Sequence, residues 1–140
     1  MTERDTELLR EHGLRVTQGR LAVLDQLERL PHADAESVHR ALVAAGNDTS
    51  VQSVHNVLGD LAAAGLVRRF EPERSAARYE RRIDDNHHHA VCARCGKVED
   101  VDCVVGEAPC LHADAPPGFT VRTAEVTFVG ICADCAQTAT

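Results

Sequence analysis

Tryptophan is absent, and aromatic residues make up only 3% of the 140 residues. Any core must be built from Leu, Val and Ala, each of which buries less area than a ring. No run of eighteen apolar residues exists, which excludes a membrane-spanning helix of ordinary length. The N-terminal stretch MTERDTELLREHG is charged throughout and lacks the apolar centre of a secretion signal, so a cytoplasmic location is expected. Net positive charge is missing too. The formal value is −7, which argues against a nonspecific nucleic-acid coat. Most of the 15 Lys and Arg lie in residues 1–81, so DNA binding stays electrostatically open if arginines share one face, with steep salt dependence. Neither a nucleophile–base pair nor a phosphate-cradling loop is present, and no enzymatic activity is expected. What the chain does have is six Cys and eight His. In a cytoplasmic protein six cysteines are better explained as metal ligands or redox thiols than as a disulfide framework.

The chain falls into two halves of different periodicity. The first reads as helices. Leu8 and Leu9 belong to a short one that Gly13 ends. Thr17 caps the next, whose apolar stripe is Leu21, Val23, Leu24, Leu27 and Leu30 before Pro31. A third runs from about Asp34 to Ala45 with Val38, Leu42 and Val43 inward, stopping at Gly46-Asn47. A fourth starts at Thr49 or Ser50, repeats Val51, Val54, Val57, Leu58 and Leu61 at helical spacing, and is closed by AAAG at 62–65. LVRRFE and AARYE follow as strands around the turn PERSA. Helices followed by a hairpin describe a winged helix-turn-helix. The helix at 50–64 is then the recognition helix, with Gln52, Ser53, His55 and Asn56 outward. The competing reading is a helical module that binds a protein, since such residues are common on solvated helices.

The second half reads as strands: HAVC, KVEDV and the stretch FTVRTAEVTFVGIC, with EAPCLHADAPPG a loop or broken helix between them. The expected architecture is α+β: a winged-helix domain at 1–81, a polar hinge at 82–86 and a small α/β domain at 87–140. Cys92-x-x-Cys95 and Cys132-x-x-Cys135 supply four soft thiolates, which suit structural, tetrahedral zinc. Thioredoxin-like redox motifs are the alternative, weakened because neither CxxC is expected to open a helix after a buried parallel strand. The histidines need a second site. On a strand His87 and His89 share one face and His88 takes the other. Asp100, on the next strand, can add an oxygen if the strands pair. Glu80, before the hinge, and His32, at a tip between helices, are the N-terminal candidates. A nitrogen-and-carboxylate set favours Fe²⁺, Mn²⁺ or Zn²⁺. Ligands on both sides of a hinge would let a metal fix the angle between halves, as in a switch. Cys103 and Cys110 read as small buried residues or a redox pair. His12, His39 and His112 are assigned no role.

These residues resemble the ferric uptake regulator (Fur) family over nearly the whole chain. GLRVTQGRLAVL looks like its N-terminal helix entry, TSVQSVHNVLGDLAAAGLVRR its recognition helix and wing start, and HHHAVCARCGKVEDVD with the late CADC its metal signature. ARYERRIDDNHHHAVCARCG and VDCVVGEAPCL look like the FurA/CatR branch, whose members resemble the peroxide sensor PerR and repress catalase-peroxidase genes. The resemblance implies a homodimeric, metal-dependent repressor that binds a palindromic, AT-rich operator. It implies structural zinc at Cys92, Cys95, Cys132 and Cys135, and a regulatory Fe²⁺ or Mn²⁺ at His32, Glu80, His87, His89 and Asp100. His32 and His87 match the ligands that peroxide oxidises in the PerR type. Arg15 matches a basic residue that reaches the minor groove. Glu80 departs from the PerR type, which carries Asp there, and agrees with iron-sensing members. His55 replaces the usual Tyr of the recognition helix, TQGR departs from the usual T-P-Q-R, and the extra His before the last CxxC is absent. Sensing of iron, zinc, nickel or another divalent metal without peroxide chemistry is the runner-up reading, with iron kept open by Glu80, and thiol redox control or a protein-binding adaptor are the alternatives from other classes.

Overall fold

A computed structural model of the chain describes residues 3–72, 75–81, 87–102, 116–120 and 126–138, with the backbone alone at 87, 102 and 138. The architecture is α+β, a winged helix-turn-helix followed by a small mixed sheet. The chain divides into two compact units, Met1–Ile83 and Asp84–Thr140. The expected hinge at 82–86 lies outside the described residues.

In the first unit the helices are α1 (Glu3–Glu11), α2 (Gln18–Arg29), α3 (Ala35–Ala44) and α4 (Val51–Ala63), with strands β1 (Ala33–Asp34), β2 (Arg68–Phe70) and β3 (Arg78–Glu80). Each of α2, α3 and α4 begins on a polar residue in extended conformation. Thr17, Asp34 and Ser50 accept from the amides of Arg20, Ser37 and Ser53, a cap worth about 1 kcal/mol each. The end of α4 is a glycine stop. Gly65 takes a φ of 82°, its amide donates to Ala62 O, and the Leu66 amide donates back to Leu61 O. That is the Schellman arrangement, and it lays Leu66 near Leu61. The stripes of Leu21, Val23, Leu24 and Leu27 on α2, Val38 and Leu42 on α3, and Val54, Leu58 and Leu61 on α4 meet in one buried core with Leu9 and Tyr79. The aliphatic core expected from the lack of aromatics is what forms.

Three members of the expected stripes are outside it, Val51 at the first position of α4 among them. Val43 is 51% exposed: the inward positions of α3 are 35, 38 and 42, and the next residue is rotated away by about 100°. Leu30 is the C-cap residue beyond α2 and is exposed as well. The wing sheet has the order β1-β3-β2, all antiparallel, with Ala33 opposite Tyr79 and Arg68 opposite Glu80. β1 has no counterpart among the expected elements, because a two-residue strand has no period to read.

The second unit centres on β4 (His87–Cys92), flanked by β5 (Val98–Asp102) antiparallel and β6 (Thr127–Gly130) parallel, and ends in α5 (Ala133–Thr138). Of the expected long strand over 119–132 the described residues show β6; Phe119, Thr120, Val126, Ile131 and Cys132 are not strand, and 121–125 lie outside the described residues. Val126, Phe128, Val129 and Ile131 are exposed on this edge. Among the described residues no helix is long and apolar enough to cross a membrane.

Candidate metal centres

β4 and β6 bring the four CxxC cysteines together. Cys92 ends β4, and a turn through Gly96, whose amide donates to Cys92 O, folds Cys95 back. The parallel pairing sets Gly130 beside Cys92, so Cys132 follows two residues on. The sulfurs of Cys92, Cys95, Cys132 and Cys135 all lie within 4.8 Å of one another, with Cys95 Sγ 3.7 Å from Cys132 Sγ. Four sulfurs about 2.3 Å from one tetrahedral zinc stand about 3.8 Å apart. None of the four is in a disulfide. The amides of Cys132 and Cys95 donate to Cys92 Sγ at 3.4 and 3.5 Å and lower its pKa to about 6. Cys135 is pushed up to about 12, first by its hydrogen bond with Cys132 and then by burial. One thiol ionises readily and another resists, so a cation is needed to hold all four as thiolates, and the donor set fits zinc.

One expectation needs correction. The second CxxC does open a helix, α5, and it does so after a parallel strand. A helix of six residues gives too short a period to be seen in sequence. The thioredoxin comparison fails for a different reason: β6 is exposed along its length, and the two CxxC motifs face each other in one cluster instead of standing apart.

The second donor set consists of two His–carboxylate pairs, one in each unit. In the first unit, continuing the antiparallel register beyond Ala33 and Tyr79 sets His32 against Glu80. His32 Nε2 lies 3.4 Å from Glu80 Oε2, and Glu80 is 1% exposed. His32 takes a φ of 67°, a left-handed conformation that is uncommon outside glycine and in which His is enriched. Its carbonyl accepts from Arg78 at 3.2 Å, and the Phe70 ring meets its imidazole edge-on, with centroids 6.0 Å apart. Arg78 and Phe70 carry no signal of these roles in the sequence, because the roles depend on the β1–β3 pairing. In the second unit His89 lies directly opposite Asp100, with Nε2 3.6 Å from Oδ1, and His89 is 3% exposed. Two donors each about 2.1 Å from one tetrahedral cation stand about 3.4 Å apart, and both pairs have that spacing. His87 is on β4 opposite Asp102, and its side chain lies outside the described atoms. His88 is buried. Cys103, Cys110 and His112 lie outside the described residues. His12 and His39 bond to the carbonyls of Leu8 and Thr49, local structural contacts.

On α4 the side chains of Gln52, Ser53, His55 and Asn56 are exposed, as is Arg15 before α2. Gln52 donates to Asn56 at 3.1 Å, and the Ser53 amide serves the Ser50 cap. Arg20 ties this face together, bonding to Arg15 O at 2.7 Å and Asp60 at 3.1 Å.

A winged helix followed by a thiol cluster and imidazole–carboxylate pairs is the arrangement of a metal-dependent transcription regulator. The sequence profile of the ferric uptake regulator family matches residues 11–129, and the chain belongs to that family. It is 53% identical over 129 residues to the transcriptional regulator FurA of Mycobacterium tuberculosis, covering 92% of this chain and 88% of the relative. It is 51% identical over 123 residues to ferric uptake regulation protein 1 of Mycolicibacterium fortuitum, covering 88% and 76%. Among solved structures, the Pseudomonas aeruginosa ferric uptake regulator with manganese superposes with a TM-score of 0.76 at 30% identity, covering 92% of this chain and 98% of that one. The likeness to the FurA branch expected from ARYERRIDDNHHHAVCARCG fits these relatives.

Proposed function

We propose that this chain is a cytoplasmic, homodimeric repressor that grips a palindromic, AT-rich operator when a divalent cation is shared by His32 and Glu80 of the first unit and His87, His89 and Asp100 of the second. The observation that carries this reading is the pair of His–carboxylate contacts, one in each unit, in which His32, Glu80 and His89 are buried and Asp100 is exposed. Each supplies only part of a coordination shell, so a cation completing both would hold the units in one relative arrangement. Residues 1–81 are then the DNA-binding domain, 82–86 the hinge and 87–140 the dimerisation domain. Cys92, Cys95, Cys132 and Cys135 hold structural Zn²⁺ and stabilise the second unit. Exposed Phe119, Val126, Phe128, Val129 and Ile131 favour burial against a second copy. Arg15 contacts the minor groove, and Gln52, Ser53, His55 and Asn56 face the major groove.

The regulatory cation is read as Fe²⁺ or Mn²⁺, and the signal as peroxide acting on catalase-peroxidase and other oxidative-stress genes. When bound, Fe²⁺ would supply the electron that reduces peroxide and so the oxidant that adds oxygen to a histidine ligand. His32 and His87 are the residues assigned to receive it. Losing either donor leaves the shell incomplete and frees the units from each other. A second reading, iron-dependent regulation without peroxide chemistry, is favoured by Glu80, a residue that the family resemblance associates with iron sensing.

The test is peptide mass spectrometry on protein loaded anaerobically with Fe²⁺ and then exposed to peroxide. One added oxygen on the His32 or His87 peptide, absent with Mn²⁺, is the expected result. Unmodified histidines in a protein that still binds the operator with Fe²⁺ would favour the second reading. Disulfides at the cysteines would instead move the protein to thiol redox control.

A further inference from the structure

Glu80 is the last residue of β3, and the residue after it is Arg81. The Arg81 guanidinium donates to Asp5 Oδ1 at 2.7 Å, to Glu28 Oε2 at 2.9 Å and to the Leu24 carbonyl at 3.3 Å. The first acceptor is on α1 and the other two are on α2. Asp5 is the unexpected member of this group. A carboxylate in the first turn of a surface helix is served well by water and the helix dipole, yet the Asp5 side chain is only 5% exposed, against 74% for Glu28. A carboxylate is tolerated at that burial when a charged donor meets it. The planar fork of arginine can reach three acceptors at once, which an ammonium on a flexible stem does less well.

The position of this clamp in the chain matters more than its strength. Glu80 ends β3 and Arg81 follows it in a bend, so holding Arg81 on α1 and α2 fixes the backbone that carries the Glu80 carboxylate. α1 contributes none of the His, Cys or carboxylate donors proposed for either metal centre, and it docks its apolar side through buried Leu9 and half-buried Leu8.

We propose that Arg81 is a positioning residue for the metal half-site: by clamping the backbone at Glu80 to Asp5, Glu28 and Leu24 O, it couples cation affinity to the docking of α1. The inference rests on the reading of Glu80 as a metal ligand. Coupling of this kind is reciprocal, so the cation should also steady α1.

The test uses full-length, zinc-loaded protein. Arg81→Met keeps the aliphatic stem and removes the fork; Asp5→Asn keeps the shape and removes the charge. Three quantities are measured: the Mn²⁺ dissociation constant, zinc content, and hydrogen exchange of the α1 amides with and without Mn²⁺. Each variant is expected to weaken Mn²⁺ binding about tenfold with zinc unchanged. The double variant should be no weaker than Arg81→Met alone, because that substitution already removes the Asp5 contact along with those to Glu28 and Leu24 O. Mn²⁺ should slow exchange in α1 of the unaltered protein and not in the variants, and Arg81→Lys should recover part of the affinity. Unaltered Mn²⁺ affinity in both variants overturns the inference, as does α1 exchange that ignores Mn²⁺ in the unaltered protein. A purely structural role would lower the melting temperature and leave both readings in place. If Arg81→Met does not fold, Asp5→Asn decides alone. Glu80→Gln separates the two levels. Lost affinity there beside normal affinity in the clamp variants sinks only the clamp; normal affinity in Glu80→Gln sinks the ligand reading and the clamp with it.

Discussion

His89 and Asp100 face each other across the antiparallel pair of β4 and β5, imidazole nitrogen 3.6 Å from carboxylate oxygen. The relationship depends on register. A slip of one residue would turn every side chain of β4 to the other face, bringing His88 where His89 now stands. The contact is therefore a property of the sheet as well as of two residues that bind metals well.

Replacing His89 by Ala is expected to abolish Mn²⁺-dependent operator binding while leaving zinc content and dimer mass as they were. His87→Ala should behave alike. Gel shift across a Mn²⁺ series, with zinc determined on the same samples, checks both. Loss of zinc or aggregation in either variant would contradict the division into two centres.

The thiol cluster makes a prediction about pH. Cys92 is held at about 6 by the amides of Cys132 and Cys95, below its ordinary 9.0. In the folded, metal-free state its thiolate contributes stability above pH 9, and that contribution is lost as pH falls through about 6. Cys135, at about 12, acts in the opposite sense: its contribution is present below pH 9 and lost as pH rises through about 12. Ultraviolet thiolate absorbance of reduced, zinc-free protein should show a first ionisation near 6 and a last one near 12. With zinc bound the thiolates persist across this range, until protons compete the metal away at low pH. Four thiols titrating together near their ordinary value would contradict this account.

Leu58 lies at the centre of the first unit, fully buried on α4. Leu58→Ala should cost about 3 kcal/mol. In a unit of this size that lowers the melting temperature by about 15 °C. Calorimetry checks it. Gln52 and Asn56 face away from Leu58 on the same helix, so operator affinity well below the transition should survive.

Arg15 is exposed before α2, beside the Arg20–Asp60 ion pair. Arg15→Ala should weaken binding by a similar factor on different sequences and reduce the salt slope by about one. Asn56→Ala should instead change which bases are preferred. Binding measured on a small set of operator variants at several salt concentrations distinguishes the two.

Most of the first unit is readable before folding, because its signals are local. Thr17 and Ser50 start helices, Gly46 and Gly65 end them, and the spacing of Val54, Leu58 and Leu61 marks one buried face. Val43 departs from the expected stripe because apolar character and angular position disagree there, and the helix follows the angle. β1 and α5 leave no trace in the pattern because two and six residues are too few to carry a period. The candidate metal donors are legible by type: Cys92 and Cys132 through their CxxC spacing, His87 and His89 through strand alternation, with Asp100 conditional on a pairing that does form. Asp5 and Arg81 are not legible. Their meeting spans 76 positions, and an acid in the first turn of a helix looks the same whether it is buried or solvated.

On the proposed assignment, β4 serves two cations within six residues, with His89 three positions from Cys92. The strand that presents the imidazoles is anchored at its end by the thiol cluster, so the two occupancies form a hierarchy. Protein made without zinc would have no ordered platform from which to answer the second metal. A cell starved of zinc would then derepress the same genes as one lacking the sensed ion, and the regulator could not tell the two shortages apart.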